Sequence, residues 1–215
     1  MKKTFLLFFL SVFTHPLFSQ VSVAPLAGLL FSNYSGTGLS ETKAKPGGNF
    51  GAIADIGITS NIYLQPGAMY MINEDISNSP AQIKTTIHSL EIPCDFIYRA
   101  GAGTAGRLFA GAGPYVARSL SGNMDYPHST FYGGNHPLSF GSSASDAMKQ
   151  NDFGVGIDAG IEPEQGFFIQ LRYQHGLTNL GEGSMNVKSV SYGASIGYLI
   201  GTRGKKKPVQ KDEGK

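Results

Sequence analysis

Three groupings in this chain have residue types that could do chemistry. The run Gly101-Ala102-Gly103-Thr104-Ala105-Gly106 spells G-x-G-x-x-G after a strand-like segment. A dinucleotide site needs a helix next, because the helix N-terminus holds the pyrophosphate. The next segment, Arg107 to Pro114, alternates, is rich in glycine and contains a proline, so the run reads as a flexible turn and no cofactor is expected. His128 and His136 stand near Asp125 and Tyr126 in a long polar stretch. Two imidazoles and a carboxylate can bind a transition metal, but this spacing matches no metal signature and none is expected. His88-Ser89 is the nearest approach to a nucleophile beside a base. Neighbours on a strand point to opposite faces, which disfavours the pair, and no catalytic residue is expected.

The other candidates are charges set among alternating residues. Asp55, Glu91, Asp95, Arg99, Asp158 and Arg172 all fall on the polar side of strand-like segments. In a narrow closed barrel, an arginine can reach across and bind a carboxylate bidentately. The expectation is a polar network inside such a barrel.

The segments that must position these charges have period 2. Phe153, Val155, Ile157, Ala159 and Ile161 alternate with Asp152, Gly154, Gly156, Asp158, Gly160 and Glu162. Val190, Tyr192, Ala194, Ile196, Tyr198 and Ile200 alternate with serines and glycines. Phe167 to Gln174 and Asn49 to Ile58 behave alike. Weaker strands span about Val21–Ser32, Ile62–Asn73, Thr86–Arg99 and Arg107–Arg118, with Pro93 and Pro114 predicting bulges. Eight strands result, each near the roughly 9–11 residues that cross a bilayer. The connections 60–61, 100–106 and 163–166 are short, whereas 33–48, 74–85, 119–150 and 177–188 are longer. Sorting short turns to one end and long loops to the other is the layout of an outer-membrane barrel.

Composition agrees. Of 215 residues, 29 are Gly, 14 Phe and 10 Tyr, and charged residues make up 15%, against about 25% in a soluble domain. The polar face has little of the Lys and Glu that would keep an exterior in water. Gly and Ser suit a crowded interior, while Phe, Ile, Leu and Tyr suit lipid. Aromatics gather near strand ends, with Phe50, Tyr70, Phe153, Tyr173 and Tyr192 at one rim and Phe96, Tyr98, Phe167 and Tyr198 at the other. Such girdles anchor barrels at interfaces. The single cysteine, Cys94, cannot form an internal disulfide.

The termini read differently. Lys2-Lys3, the apolar run Phe5 to Phe13 and Ser19 predict a signal peptide over 1–19, leaving a barrel over 20–201. Residues 202–215 predict a disordered basic tail in the periplasm. Setting aside Lys2, Lys3 and the tail's Arg203, Lys205, Lys206, Lys207, Lys211 and Lys215 leaves nine basic and thirteen acidic groups in 21–201, a net charge of −4. No basic stripe tracks phosphates, so nucleic acid is not an expected partner.

Four runs carry a family resemblance: His88-Ser89-Leu90-Glu91-Ile92-Pro93, Leu64-Gln65-Pro66 followed by Tyr70, Ala112-Gly113-Pro114-Tyr115, and the stretch from Leu171 to Asn179. In order and spacing they resemble the PorT-like outer-membrane β-barrel family. That resemblance implies a small barrel in the outer membrane, often of unknown role, with some relatives associated with protein secretion. The chain departs in closing its last strand on Ile200, where the family tends to place an aromatic.

The expectation is therefore an all-β protein, an eight-stranded antiparallel up-and-down transmembrane barrel with both termini in the periplasm. Its expected partners are outer-membrane lipid and, through loop 119–150, other envelope proteins. Its expected role is structural, adhesive or accessory, without catalysis. Two other readings stay open, a lipid hydrolase on a small barrel and a soluble lipocalin-like carrier of an apolar ligand.

Overall fold

The computed structural model describes residues 21–37, 42–78, 82–101, 106–127, 133–141, 148–163, 166–181 and 186–201. The predicted signal peptide, the predicted tail and His128 lie outside them. Alternating sequence becomes long antiparallel strands: β1 (Val21–Thr37), β2 (Thr42–Gly57), β3 (Ile62–Ser77), β4 (Lys84–Gly101) and β5 (Arg107–Tyr126). After a short strand β6 (Gly134–Pro137) come β7 (Asn151–Glu162), β8 (Phe167–Gly176), β9 (Asn186–Tyr198) and β10 (Ile200–Gly201). Each strand pairs with the next in sequence, except that β6 folds back on β5 and β7 takes the following place beside β5. β9 pairs with β1, for example Ala27 with Ile196, and closes the sheet. β10 keeps the same register on β1, Val23 facing Ile200, so β9 and β10 form one stave interrupted at Leu199. The result is a closed barrel of eight staves. Closure pairs both edges of the sheet, leaving no open ladder in the bilayer.

Burial follows the pleat. Ile157, Leu171 and Ile196 are 59–65% exposed, whereas their chain neighbours Asp158, Gln170 and Ser195 are buried. Large apolar side chains thus point out and polar ones point in, the inverse of a soluble barrel. No helix among the described residues is long and apolar enough to cross a membrane; strands do the crossing.

Three features differ from the sequence reading. First, much of the expected loops at 33–48 and 74–85 is strand, because β1–β2 pairing runs from Val21↔Ile56 to Ser32↔Lys45 and β3–β4 pairing reaches Ile76↔Lys84. Backbone ladders gain hydrogen bonds wherever both strands continue, and they do not stop where lipid stops. The long connection 119–150 is also part strand, since β5 runs to Tyr126 and β6 pairs with its end. Second, the prolines cause no register shift. They do interrupt the ladder, as β4–β5 pairing skips Cys94 and Asp95 opposite Pro114 and Gly113 and β3–β4 pairing skips Ile92 and Pro93, but the register is kept, and the shifts fall at Lys45/Gly48 and His88/Ser89. Third, the inward face is not polar throughout. Leu26, Leu30, Ile53, Met69, Met71, Ile97, Phe109 and Phe168 form a buried apolar cluster inside the barrel.

At the short-turn end, Gly106 (φ 98°) and Gly166 (φ 91°) enter β5 and β8 in the left-handed region. A side chain is strained there, and glycine is not. Gly101 ends β4 and Arg107 opens β5, so the G-x-G-x-x-G run joins two antiparallel strands and leads into no helix.

Candidate functional site

The polar interior is built by inward-facing residues of one parity, on strands that are neighbours and on strands that are not. On β4, Glu91, Asp95 and Arg99 point inward; on β8, Gln170, Arg172 and Gln174 do. Arg172 Nη1 lies 2.7 Å from Asp95 Oδ2 and 2.7 Å from Asp158 Oδ2. Gln170 Nε2 donates to the other Asp158 oxygen at 2.6 Å. One turn of the ladder higher, Gln174 Nε2 donates to Glu91 Oε1 at 2.6 Å and Ser191 Oγ donates to Gln174 Oε1 at 2.9 Å. The β4 and β8 ladders thus join across the lumen.

A second cluster sits toward the short-turn end. Arg99 Nη1 donates to Asp55 at 2.9 and 3.0 Å, and Arg99 Nε lies 3.2 Å from Glu162 Oε2. Arg107 Nη2 reaches Glu162 Oε1 at 2.9 Å, and Gln65 Nε2 reaches Asp55 Oδ1 at 2.9 Å. The Arg99 guanidinium also stacks 4.2 Å above the Tyr63 ring, a cation–π contact worth roughly 0.5–2 kcal/mol. Buried charges persist when each is paired and hydrogen-bonded, and Arg99, Arg107 and Arg172 each face carboxylates.

Toward the long-loop end the interior changes character. Ser32, Ser89, Ala117, Ser189 and Ser191 are too small to fill it, and they surround a cavity of about 50 Å³ with Glu91, Asp152, Tyr115 and Gln174. Ser189 Oγ donates to Asp152 Oδ2 at 2.5 Å and Tyr115 Oη to the same oxygen at 3.2 Å. The loops fold over this cavity. Leu180 N donates to Val187 O, Lys149 N to Leu180 O and Leu138 N to Gly122 O. Leu138, Leu180 and Ile87 are buried beneath that cover.

Asp55, Glu91, Asp95, Arg99, Asp158 and Arg172 thus all lie inside, in these two clusters. Sequence reasoning passed over Glu162, Gln65, Gln170, Gln174 and the Tyr115–Asp152–Ser189 group. The signal for the glutamines was present, since Gln170 and Gln174 share the parity of Arg172 on the polar side of β8.

On the outside, Phe50, Phe96, Tyr98, Phe153, Phe167, Tyr173, Tyr192 and Tyr198 are exposed. Tyr173 faces Tyr192, and Phe167 faces Tyr198 with ring centroids 4.7 Å apart. Tyr70 is half-buried between Phe50 at 5.1 Å and His88 at 5.9 Å. His88 Nδ1 meets Tyr70 Oη at 3.1 Å, while Ser89 is buried in the lumen, so the two neighbours part to opposite faces. The His136 ring packs edge-on against Tyr126 at 5.6 Å. The described residues include no cluster of three metal-ligating side chains.

A closed eight-stave sheet with an apolar outside and a charge-paired inside is a transmembrane β-barrel. The chain belongs to the outer membrane protein beta-barrel domain family, whose model matches residues 15–182, and it is a protein of the outer membrane. No curated protein matches it by sequence. Among solved structures it is similar to Neisserial surface protein A (NspA), at 12% identity and a TM-score of 0.50, covering 84% of this chain and 99% of that one. It is also similar to Ail, the attachment invasion locus protein of Yersinia pestis, at 11% identity and a TM-score of 0.48, with 84% and 99% covered. The outer membrane enzyme PagL is similar at 18% identity and a TM-score of 0.48, with 81% and 99% covered. At these identities the likeness is one of fold.

Proposed function

We propose that this protein is a closed, non-catalytic barrel that anchors its long-loop end at the cell surface for structural, adhesive or accessory contacts, with both termini in the periplasm. The observation that carries this reading is the filled lumen. Arg172 spans from β8 to β4 and β7, and Arg99 spans from β4 to β2 and β7. Eight staves leave an interior just wide enough for side chains, and these bridges occupy it at two levels. The part left for function is the loop end, where β5 and β6 stand beyond β7 and β8 as a platform for other envelope proteins, with lipid around the belt and no role for nucleic acid. The four family-like runs lie on β3, β4, β5 and β8, and the first three are adjacent staves with Pro66 facing Cys94 and Pro93 facing Tyr115. Their resemblance to PorT-like barrels, some of which are associated with secretion, makes an accessory role in secretion one form of this function. The separation of His88 from Ser89 supports the absence of catalysis.

Purified protein in a planar bilayer is expected to show no steady conductance. Large, stable channels from the wild-type chain would replace this reading with a transport role.

A further inference from the structure

We propose that the loop-end cavity is a binding site for a hard, calcium-sized divalent cation, held between Glu91 and Asp152. Lower in the barrel each carboxylate has an arginine: Asp55 and Glu162 share Arg99, and Asp95 and Asp158 share Arg172. Glu91 and Asp152 accept hydrogen bonds from the neutral groups Gln174, Ser189 and Tyr115. Lys149 lines the cover but forms no ion pair with either of them among the described residues.

The register brings the two carboxylates together. Glu91 on β4 faces Ala117 on β5, and Ala117 faces Asp152 on β7. Both carboxylates therefore lie in one row, two strands apart with Ala117 between them, and both line the cavity. An independent observation lies on the opposite wall. Ser32 is only 4% exposed, it lines the same cavity, and its hydroxyl has no hydrogen-bond partner among the described residues.

Two buried carboxylates without a cation would have to carry protons. Protons would neutralise the charge but give the Ser32 hydroxyl no charged group to bind. A cation with a few waters answers both. A water needs about 10–15 Å³ of such volume, so about 50 Å³ admits a partly hydrated ion and excludes an organic ligand. The groups that meet Glu91 and Asp152 present carboxylate, hydroxyl and amide oxygens, and although Met71, Met148 and Lys149 also line the cavity, the two carboxylates favour a hard cation. The ring is irregular, and calcium tolerates irregular oxygen shells where magnesium demands an octahedron.

The test is equilibrium dialysis of the full chain in neutral detergent, stripped with EDTA and titrated with radioactive calcium. Heat-modifiable gel migration verifies the fold of each variant. One saturable site per chain is expected in the wild type. Glu91→Gln and Asp152→Asn should each weaken it by at least about tenfold, the scale seen when a metal site loses a supporting group. Ala117→Leu keeps both carboxylates but fills the space between them, and it should abolish binding even if the charge variants fail to fold. Glu74→Gln, on the outer surface beside Lys84, should bind as the wild type does. No saturable calcium in the wild type, meaning protons and water fill the cavity, would overturn the proposal. So would calcium affinity unchanged in both Glu91→Gln and Ala117→Leu.

Discussion

Replacing Arg172 with methionine is expected to cost the barrel about 3–5 kcal/mol, the usual penalty for removing one partner of a buried ion pair. Arg172 Nη1 sits 2.7 Å from both Asp95 and Asp158. Without it two carboxylates face each other in a water-poor lumen, with Gln170 as the remaining donor to one of them. Methionine fills much of the volume and offers no proton, so the loss is electrostatic and not a cavity. Arg118 is the control. It lies beside Gln150 at the loop end, with Nη2 3.1 Å from Gln150 Oε1, in an exposed hydrogen bond. Exposed substitutions of this kind usually stay within about 0.5 kcal/mol. Urea unfolding of both variants in the same lipid should show a lowered midpoint for Arg172→Met and an unchanged one for Arg118→Met. Equal midpoints would mean that the central bridge is not what holds the lumen together.

The architecture was legible because a barrel wall between two media writes its period into the chain. On β7, Phe153 to Ile161 alternate with acids and glycines, and one face must be outside. Which loops were loops was less legible. Lys43, Ala44 and Lys45 carry no apolar alternation, yet they pair with Ile76, Asp75 and Glu74, because backbone hydrogen bonds need no side-chain signal. The inward apolar cluster was hidden for a related reason. Ile53 has the parity of Asp55 on β2, and Phe109 that of Gly111 on β5. Period 2 assigns a residue to a face but not to a medium, and an apolar residue is at home in either. The charges escaped that ambiguity, since a carboxylate facing lipid is excluded on energy alone. Glu162 could have been found by the same rule, because it continues the Asp158 face by two further steps.

Glycine on the inward face has a second role that composition alone does not reveal. A Cβ built on Gly156 would lie 2.6 Å from Arg172 Nη2, and one on Gly160 would lie 2.3 Å from Phe109 Cζ. On Gly197 it would lie 2.3 Å from Phe168 Cζ. These glycines are seats: the large inward side chains rest on the neighbouring strand because that strand has no side chain there. Gly197→Leu is therefore expected to cost about 3 kcal/mol or more, the upper range for overpacking a tight core. The barrel cannot widen to make room, since its circumference is set by the number of staves and their register. Phe168→Ala alone should cost about 3–5 kcal/mol through the cavity it leaves. Combined, the two changes compensate, because the new leucine enters the space the ring vacates. Residues in contact depart from additivity by about 0.5–3 kcal/mol, and here the sign is fixed by geometry: the double variant should unfold at a higher urea concentration than Gly197→Leu and Phe168→Ala together imply. Strict additivity in that cycle would show that the ring does not rest on Gly197, and the seat reading would fall for this pair.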